Sequence, residues 1–266
     1  MWITTTILVL IGLNALVCGS TQGIGKATAT ELAACGARVT LLARDPQKLA
    51  ATLKELPGGE GVRHGSLAVD MSDTAALAST IAAHVAAQPV DILVNNTGGP
   101  APGLAHEAAV DAFEQAFRQH LLGFQTLVRA IAPGMKERGH GRIINVISTS
   151  VKQPLPNLGV SNTIRGAVAN WAKTLATELG PFGITVNNVL PGATATERLA
   201  QIIRNKATKT GISEAEATAE MLHEIPLRRF AKPEEIAMAV AFLAGPSGAY
   251  INGINLPVDG GRTACL

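Results

Sequence analysis

The sequence is poor in several of the residues that mark specialised classes of protein. Its 266 residues include one tyrosine, three cysteines and only 3% aromatic residues. The cysteines, Cys18, Cys35 and Cys265, are widely spaced and form no CxxC pair. This spacing argues against a disulfide framework and against a structural zinc site, and it favours a reducing compartment. We therefore expect a cytoplasmic protein without a metal site.

Charge is also scarce and evenly distributed. Charged residues make up 16% of the chain, the net charge is +2, and no run of like charges occurs. A nucleic-acid-binding protein is expected to carry a basic stripe with stacking aromatic residues, and neither pattern is present. Because 47% of the residues are apolar, the composition excludes an intrinsically disordered chain. The length suits a single domain over residues 1–266.

The N-terminal segment contains no charged residue before Lys26. Its apolar run, residues 7–17, has two interpretations: a signal or anchor segment, or a buried first strand with an apolar lead-in. No basic region precedes the run, which is too short to span a bilayer and continues directly into a glycine-rich loop. These features favour the buried strand, and we expect no membrane partner.

Short apolar runs alternate with longer helical patterns along the whole chain, which is typical of βα units in a parallel sheet. Helix starts are predicted at Asp45-Pro46, at Lys232-Pro233, and at Ser213 with Glu216 in capping-box spacing. The pattern predicts an α/β fold, a doubly wound parallel sheet with helices on both faces. The predicted strands are Asn14–Cys18, Arg38–Ala43, Gly65–Val69, Ile92–Asn95, Arg142–Ile147, Thr185–Leu190 and Ile254–Val258.

The segment 197–230 is long for a connection between two strands of one sheet. A polar helical insertion of this length predicts a lid over a site. Its positive charges include those of Arg198, Arg204, Lys206 and Lys209. These charges either attract the phosphate of CoA or of an acyl-carrier protein, or form an ordinary solvated helix face.

A glycine-rich loop follows the first predicted strand and opens a helix. It runs Gly19-Ser20-Thr21-Gln22-Gly23-Ile24-Gly25. Glycines at this place let the backbone turn tightly and approach a pyrophosphate, whose charge then lies at the helix N-terminus. The loop predicts a Rossmann-type dinucleotide site that includes Gly19, Ser20, Thr21, Gly23, Ile24 and Gly25.

The end of the second strand indicates which dinucleotide is bound. An NAD site usually carries an acid there for the ribose hydroxyls, whereas this chain has Arg44. A guanidinium pairs well with a ribose phosphate, which favours NADP(H). The alternative is that Arg44 is an ordinary surface charge. The neighbouring Asp45 fits a helix N-cap better than a ribose contact.

From about Asn14 to Gly261 the chain resembles the short-chain dehydrogenase/reductase family, and it is most similar to the 3-oxoacyl-acyl-carrier-protein-reductase-like branch. The residues that carry this resemblance are Gly19, Gly23 and Gly25; Asp70; Asn95-Asn96-Thr97-Gly98; Pro191-Gly192 with Thr196; and Val258-Asp259-Gly260-Gly261.

The resemblance implies a role for each of these positions. Asp70 is expected beside the adenine, Asn95 in the central sheet, and the backbone near Gly98 along the adenine ribose. Pro191-Gly192 through Thr196 is expected around the nicotinamide. The resemblance also implies a homotetramer, because the helical patterns at 113–136 and 161–180 resemble the subunit-packing helices of the family.

The family's catalytic tetrad of asparagine, serine, tyrosine and lysine is largely replaced. Ser148 matches the serine, whereas Ser161 stands for the tyrosine, Arg165 for the lysine and His120 for the asparagine. The only tyrosine, Tyr250, lies near the C-terminus and cannot fill the gap. The i, i+4 spacing keeps Ser161 and Arg165 on one helix face.

We hypothesise NADPH-dependent reduction of a small-molecule carbonyl substrate, either free or carried on CoA or acyl-carrier protein. In this hypothesis Ser148 polarises the oxygen, Ser161 orients the substrate or relays a proton, and Arg165 holds the cofactor. His120, whose ring type titrates near neutral pH, supplies the relayed proton. The alternative for both serines is a cap or turn role, and for His120 a structural role.

Two other functions are compatible with the same residues. One is a dinucleotide-binding sensor or inactive partner subunit without redox turnover. The other is a non-redox dehydratase or isomerase that uses His120 as a base. All three functions retain the dinucleotide site, and they differ in what the catalytic residues do.

Overall fold

The computed structural model describes residues 9–59 and 61–265, and these residues form one parallel sheet of seven strands. In space the strands follow the order β3-β2-β1-β4-β5-β6-β7. Their bounds are β1 Asn14–Cys18, β2 Arg38–Ala43, β3 Gly65–Ala68, β4 Ile92–Asn95, β5 Gly141–Val146, β6 Ile184–Pro191 and β7 Asn255–Val258.

Helices connect the strands, and within the described ranges there are nine α-helices. They are α1 Gly23–Ala34, α2 Pro46–Glu55, α3 Thr74–Ala87, α4 Val110–Phe117, α5 Gly123–Arg138, α6 Gly159–Leu179, α7 Glu197–Thr210, α8 Glu214–His223 and α9 Pro233–Ala244. The predicted α/β fold with a doubly wound parallel sheet is confirmed. Each predicted strand is present, with an end displaced by at most one residue.

Side chains that alternate along the strands build a separate core on each face of the sheet. In β1, Leu16 and Cys18 face the core formed with α3, α5 and α6. Ala15 and Val17 face the opposite core, formed with α1, α2 and α9. The period of two follows from the pleat of a strand. Burial on both faces explains why the strands are continuous apolar runs in the sequence.

The predicted helix starts are also present. Asp45 accepts hydrogen bonds from the backbone N–H groups of Gln47 and Lys48 at the start of α2. Ser213 and Glu216 form the reciprocal capping box at the start of α8. Each bond satisfies a backbone donor that the first helical turn leaves free.

The helical pattern at 113–136 is interrupted, although the sequence predicts it as continuous. Between α4 and α5 the chain makes a π-helical turn over Arg118–Leu122. Immediately after this turn, Gly123 packs closely against the loop between β3 and α3, because a Cβ there would lie 2.7 Å from the carbonyl oxygen of Met71. His120 lies within the turn and is fully buried.

A row of asparagine amides crosses four neighbouring strands, from β4 to β7. The Nδ2 group of Asn95 donates to Asn145, Asn145 donates to Asn188, and Asn188 donates to Asn255, each over 2.8 Å. These residues are direct partners in the strand register. The row satisfies polar groups that would otherwise be costly to bury.

The predicted first strand begins at Asn14, and Leu10 before it is fully buried. Residues 7 and 8 of the apolar run lie outside the described residues. Among the helices in the described ranges, none has the length and apolar character needed to cross a bilayer.

Candidate active site

The carboxyl ends of β1, β4, β5 and β6 open onto a cleft with a volume of about 590 Å³. The chain changes direction of winding between β1 and β4, and α/β sheets bind their ligands at such a switch point. The predicted site residues that line the cleft are Gly19, Gly23, Ile24, Gly25, Gly98, Ser148, Ser161, Arg165, Pro191, Gly192 and Thr196. Most of the predicted cofactor residues and three of the four predicted catalytic residues therefore share one space.

The glycine loop has the tight geometry expected of a phosphate-binding turn. Gly19 and Gly23 have φ values of 60° and 52°, in the left-handed region that favours glycine. A Cβ on Gly25 would lie only 2.1 Å from the carbonyl oxygen of Gly19. The loop therefore closes on itself only with glycine at this position.

The N-terminus of α1 faces this loop with its backbone donors free of side-chain caps. Gln22 at the N-cap makes no side-chain cap hydrogen bond, and the first turn carries no acidic residue. Free N–H groups and the positive end of the helix dipole together suit an anionic group. This end of the cleft fits the pyrophosphate of a dinucleotide.

Two residues of the predicted loop set do not line the cleft. Ser20 is fully buried, and its hydroxyl donates to the carbonyl oxygen of Leu42 over 3.4 Å. Thr21 is half-buried but is not part of the cleft wall. The Ser20 side chain therefore holds the loop against β2, and a contact of Ser20 with the cofactor stays a prediction for its backbone.

Arg44 and Asp70 lie beyond the cleft wall, at the ends of β2 and β3, with Arg44 Nη1 3.6 Å from Asp70 Oδ2. The Arg44 side chain is 75% exposed, so its guanidinium is accessible to a ligand. Burial raises the pKa of Asp70, but hydrogen bonds from Ser72 and the charge of Arg44 outweigh it and hold the pKa below its ordinary value. The pair places one positive and one negative charge near the part of the site that is expected to bind the adenosine of the cofactor.

Asn95, predicted among the cofactor residues, is fully buried and forms part of the asparagine row. Its neighbour Asn96 lines the cleft instead, and the Asn96 amide donates to the carbonyl oxygens of Cys18 and Gly19. This buried position in the central sheet is the one that the family resemblance implies for Asn95. Its side chain stabilises the sheet, while Asn96 braces the glycine loop.

Ser148 follows β5 and begins a short 3₁₀ turn over Thr149–Val151. Its Oγ accepts a hydrogen bond from the backbone N–H of Ser150 over 3.1 Å. The bond fixes the oxygen in place and leaves the hydroxyl proton free to be donated. A half-buried hydroxyl held in this way can donate to a substrate oxygen in the cleft.

Ser161 and Arg165 project from α6 into the same cleft, one helical turn apart. Arg165 is only 7% exposed, and its Nη1 donates to the carbonyl oxygen of Val146 over 3.1 Å. Burial, and then the charge of Arg198, lower the pKa of Arg165 to about 10. The guanidinium therefore remains charged at neutral pH and supplies positive potential beside Ser161.

His120 lies behind the cleft wall and does not line it. Among the described residues, neither of its ring nitrogens has a hydrogen-bond partner of normal geometry. Burial, and then the charge of Arg165, lower the pKa of His120 to about 2, and the nearby Gly98 backbone offsets this only in part. The ring is neutral at neutral pH, which argues against His120 as the source of a relayed proton, and its catalytic role stays a prediction.

The base of the predicted lid packs directly on the glycine loop. A Cβ on Gly23 would lie 3.2 Å from Cγ2 of Thr196, and one on Gly192 would lie 2.7 Å from Cα of Asp259. The Thr196 hydroxyl caps α7 by accepting from the backbone N–H of Leu199 over 3.4 Å. These contacts bring the segment that starts at Pro191 alongside the glycine loop.

The predicted lid contains α7 and α8, which pack on each other through a small apolar cluster. Its buried members are Leu199, Ile203, Ala207 and Ala217. The cluster is separate from the two cores of the sheet, so the segment 197–230 is attached chiefly at its ends. That this segment closes over a ligand stays a prediction.

Several cleft residues have no counterpart among the sequence predictions. The loop Leu155–Leu158 forms part of the wall opposite the glycine loop. Asn162 braces it, because its Nδ2 donates to the carbonyl oxygen of Leu155 over 2.8 Å. Pro156 and Asn157, whose φ is 59°, are turn signals that indicate a loop but not its contact with the site.

Comparisons with known proteins agree with this geometry. A family model described as Enoyl-(Acyl carrier protein) reductase matches residues 19–263. Short-chain reductase protein NovJ of Streptomyces niveus is 34% identical over 253 residues, which cover 93% of this chain and 93% of that protein.

Two solved structures are similar over nearly the whole chain. L-sorbose reductase from Gluconobacter frateurii, complexed with NADPH and L-sorbose, has a TM-score of 0.90 at 31% identity and covers 97% of this chain and 99% of its own. A variant of actinorhodin polyketide ketoreductase with NADPH has a TM-score of 0.89 at 34% identity and covers 95% and 98%. The chain belongs to the short-chain dehydrogenase/reductase family of oxidoreductases.

Proposed function

We propose that this protein is an NADP(H)-dependent reductase of a small-molecule carbonyl substrate in which Ser161 and Arg165 replace the family tyrosine and lysine. One observation carries the proposal. A single cleft joins the uncapped N-terminus of α1 to the side chains of Ser148, Ser161 and Arg165. The relatives solved with NADPH, which include a sugar reductase and a polyketide ketoreductase, support the cofactor and the reaction class.

The cofactor lies along the carboxyl edge of the sheet in this proposal. The glycine loop and the start of α1 hold the pyrophosphate, and Arg44 pairs with the ribose phosphate that distinguishes NADP(H) from NAD(H). Asp70 and Gly98 contact the adenosine part, and Pro191-Gly192 through Thr196 surrounds the nicotinamide. When bound, the cofactor supplies a hydride to the substrate carbon.

The chain's own residues bind the substrate oxygen and stabilise the charge that develops there. Ser148 donates a hydrogen bond, since its oxygen is already fixed by Ser150. Ser161 orients the substrate from the facing helix, and Arg165 supplies positive potential and holds the nicotinamide ribose. Neither serine is an acid near neutral pH, and His120 is buried and uncharged. Solvent water in the cleft therefore provides the proton.

The proposal is tested by measuring NADPH binding and then NADPH oxidation with 3-oxoacyl thioesters, simple ketones and quinones. We expect tight binding and turnover on at least one class. Tight binding without turnover on any of them would favour a sensor or inactive partner subunit. Conversion of a substrate without consumption of NADPH would favour a dehydratase or isomerase.

The assembly and the lid belong to the same proposal. A homotetramer is supported by the family resemblance of α4, α5 and α6, and by the exposed apolar side chains of Phe117 at the end of α4 and of Leu122 in the π-helical turn before α5. Sedimentation at several protein concentrations tests it. Closure of the segment 197–230 is tested by its protection from proteolysis when NADPH is added.

A further inference from the structure

Two guanidinium groups converge in the cleft beside the proposed reaction centre. A Cβ built on Gly99 would lie 3.6 Å from Nη2 of Arg198 and 3.8 Å from Nη2 of Arg165. Both Nη2 atoms are therefore within 4 Å of the same point on the cleft wall. Arg165 reaches this point from α6, and Arg198 reaches it from the first turn of α7.

No acidic side chain in the described ranges forms an ion pair with either arginine. The only hydrogen bond of the Arg165 guanidinium to another described residue goes to the Val146 carbonyl, so its remaining N–H groups are available to the cleft. Arg198 donates through Nη2 to the carbonyl oxygen of Pro100, which fixes its position. Burial lowers the pKa of both groups, and the charge of Arg198 lowers that of Arg165 further. Holding two like charges together without a counterion is unfavourable unless an anion completes the site.

Three other cations of this region are paired with acids within the lid or at its edge. Arg204 pairs with Glu197 over 2.6 Å, Lys206 pairs with Glu220 over 2.7 Å, and Arg262 pairs with Glu224. Glu197 also lines the cleft, but its charge is taken by Arg204. Lys209 lines the cleft without an acidic partner among the described residues, but it is exposed to solvent near the end of α7. The unpaired positive charge that is shielded from solvent therefore lies at Arg165 and Arg198.

We propose that Arg165 and Arg198 bind a carboxylate of the substrate, so that the substrate class is a short oxo acid rather than a neutral ketone. This inference rests on the proposed reductase function. A carboxylate between the two guanidinium groups accepts hydrogen bonds from both Nη2 atoms. Ser148 and Ser161 then hold the carbonyl oxygen of the same substrate, a few bonds away from the carboxylate. The buried position of Arg165 beside the reaction centre requires this short separation.

Two sources of phosphate are the alternatives to a carboxylate as the anion bound by Arg165 and Arg198. The pyrophosphate of the cofactor has its own site at the start of α1, which makes it the weaker candidate. The phosphates of CoA or of an acyl-carrier arm are separated from the thioester by a long pantetheine chain. They would reach the outer end of α7 and not the buried Arg165.

The experiment compares α-, β- and γ-oxo acids with their methyl esters, which carry the same ketone without the charge. Turnover with NADPH is measured for each pair, and isothermal titration measures binding of the matching hydroxy acid and its methyl ester to the NADP⁺-saturated protein. For at least one pair we expect the acid to bind about 10- to 100-fold tighter than the ester, as charge-assisted hydrogen bonds in a half-buried site do.

The substitution Arg198→Gln is expected to abolish most of the difference in affinity between the acid and its methyl ester. It should leave the Kd values of the ester and of NADPH unchanged. Arg198→Lys, which keeps the charge but not the fork, should restore part of it. Arg204→Gln is the matched control on the same helix, because Arg204 is exposed and paired with Glu197, and it should leave the preference for the acid intact. Thermal unfolding of each variant checks that it is folded.

Three results would overturn the inference while leaving the reductase function in place. In the first, the protein binds NADPH, but it binds the acid and the methyl ester of each pair with equal affinity, or it binds no acid in the series. The second is an Arg198→Gln variant in which NADPH affinity falls together with acid affinity, which would assign Arg198 to the cofactor. The third is an Arg198→Gln variant that weakens a CoA thioester but not the corresponding N-acetylcysteamine thioester. Failure of NADPH binding itself would instead contradict the proposed function.

Discussion

The two halves of the cleft differ in how strictly the fold determines their residues. The half at β1 and α1 retains Gly19, Gly23 and Gly25 of the family resemblance, and a Cβ on any of the three would lie within 3.2 Å of a backbone or side-chain atom. The half at β5 and α6 keeps one of the four tetrad residues, Ser148. Steric constraints on a backbone allow few residue types, whereas a side chain that projects into a cleft can change its chemistry without changing the fold.

The strongest test of this difference is a substitution in the glycine loop. In Gly25→Val, the Cβ of the valine would lie 2.1 Å from the carbonyl oxygen of Gly19. We expect the variant to lose measurable NADPH binding and about 2–4 kcal/mol of unfolding free energy. Fluorescence titration with NADPH and urea unfolding measure the two effects.

The control for that variant is Gly166→Ala on α6, where a Cβ would have no neighbour within 4 Å. Alanine in this helix interior should raise the unfolding free energy by about 0.5–1 kcal/mol and leave NADPH binding unchanged. A Gly25→Val protein that still binds NADPH would show that the loop tolerates a side chain, and the contrast between the two halves would fail.

In the other half, Ser148→Ala removes the donor proposed for the substrate oxygen. We expect kcat to fall about 100-fold, the typical effect of losing one oxyanion-binding donor, with no change in the Kd for NADPH. Steady-state kinetics on whichever carbonyl proves to be a substrate measure it. Ser150→Ala is a matched control, since it removes a neighbouring buried hydroxyl but keeps the backbone N–H that donates a hydrogen bond to Ser148 Oγ. Equal losses in both variants would remove Ser148 from the mechanism.

The next test concerns His120, which lies behind the wall between the two halves. Its folded pKa of about 2 is below the ordinary 6.5, so the unfolded chain binds the extra proton and stability is lost as pH falls below about 6.5. From pH 7 to pH 5 this linkage should cost the protein about 2 kcal/mol of unfolding free energy.

His120→Leu should remove this part of the pH dependence, so urea unfolding at the two pH values should differ by about 2 kcal/mol less in the variant. His106→Leu, at an exposed position in the loop before α4, is the control and should keep the slope of the parent protein. If the unfolding free energy of His120→Leu depended on pH as strongly as that of the parent protein, the histidine would be protonated in the folded state. A proton relay through His120 would then again be a candidate.

The smallest expected effect is at the adenosine end. Arg44→Ser should raise the Kd for NADPH about 10-fold, because the exposed guanidinium contributes one solvent-screened pairing with the ribose phosphate. The Kd for NADH should stay the same, and Lys48→Ser on the exposed face of α2 should change neither. If Arg44→Ser kept the full preference for NADPH, the assignment of Arg44 to the phosphate would be wrong.

Much of the fold could be predicted because its signals are local. The run Asn14–Cys18 and the glycine loop that follows it depend on neighbours in the chain, and both are found where they are expected. The same holds for the Asp45 cap and the capping box of Ser213. Periodicity and turn chemistry need no knowledge of the rest of the molecule.

The remaining site features depend on contacts between distant segments. The π-helical turn at Arg118–Leu122 has no sequence signature, and neither has the burial of His120 within it, which lowers the pKa of that ring. Arg198, Arg204, Lys206 and Lys209 of the lid are equivalent in the sequence, yet of these four only Arg198 lies against Gly99. The side chain of Ser20 belongs to the glycine loop of the cofactor site but bonds to the sheet. Tertiary packing decides each of these outcomes.

The asparagine row has a direction, which gives the sheet beneath the cleft an electrical polarity. Every amide donates toward β7, so Asn95 Oδ1 is left without a partner among the described residues at one end, and Asn255 Nδ2 is the terminal donor at the other. Reversing any one amide would set two oxygens or two N–H groups against each other. The four side chains therefore reverse together or not at all, and the row behaves as one cooperative dipole whose negative end lies on β4, next to the strand that carries the glycine loop.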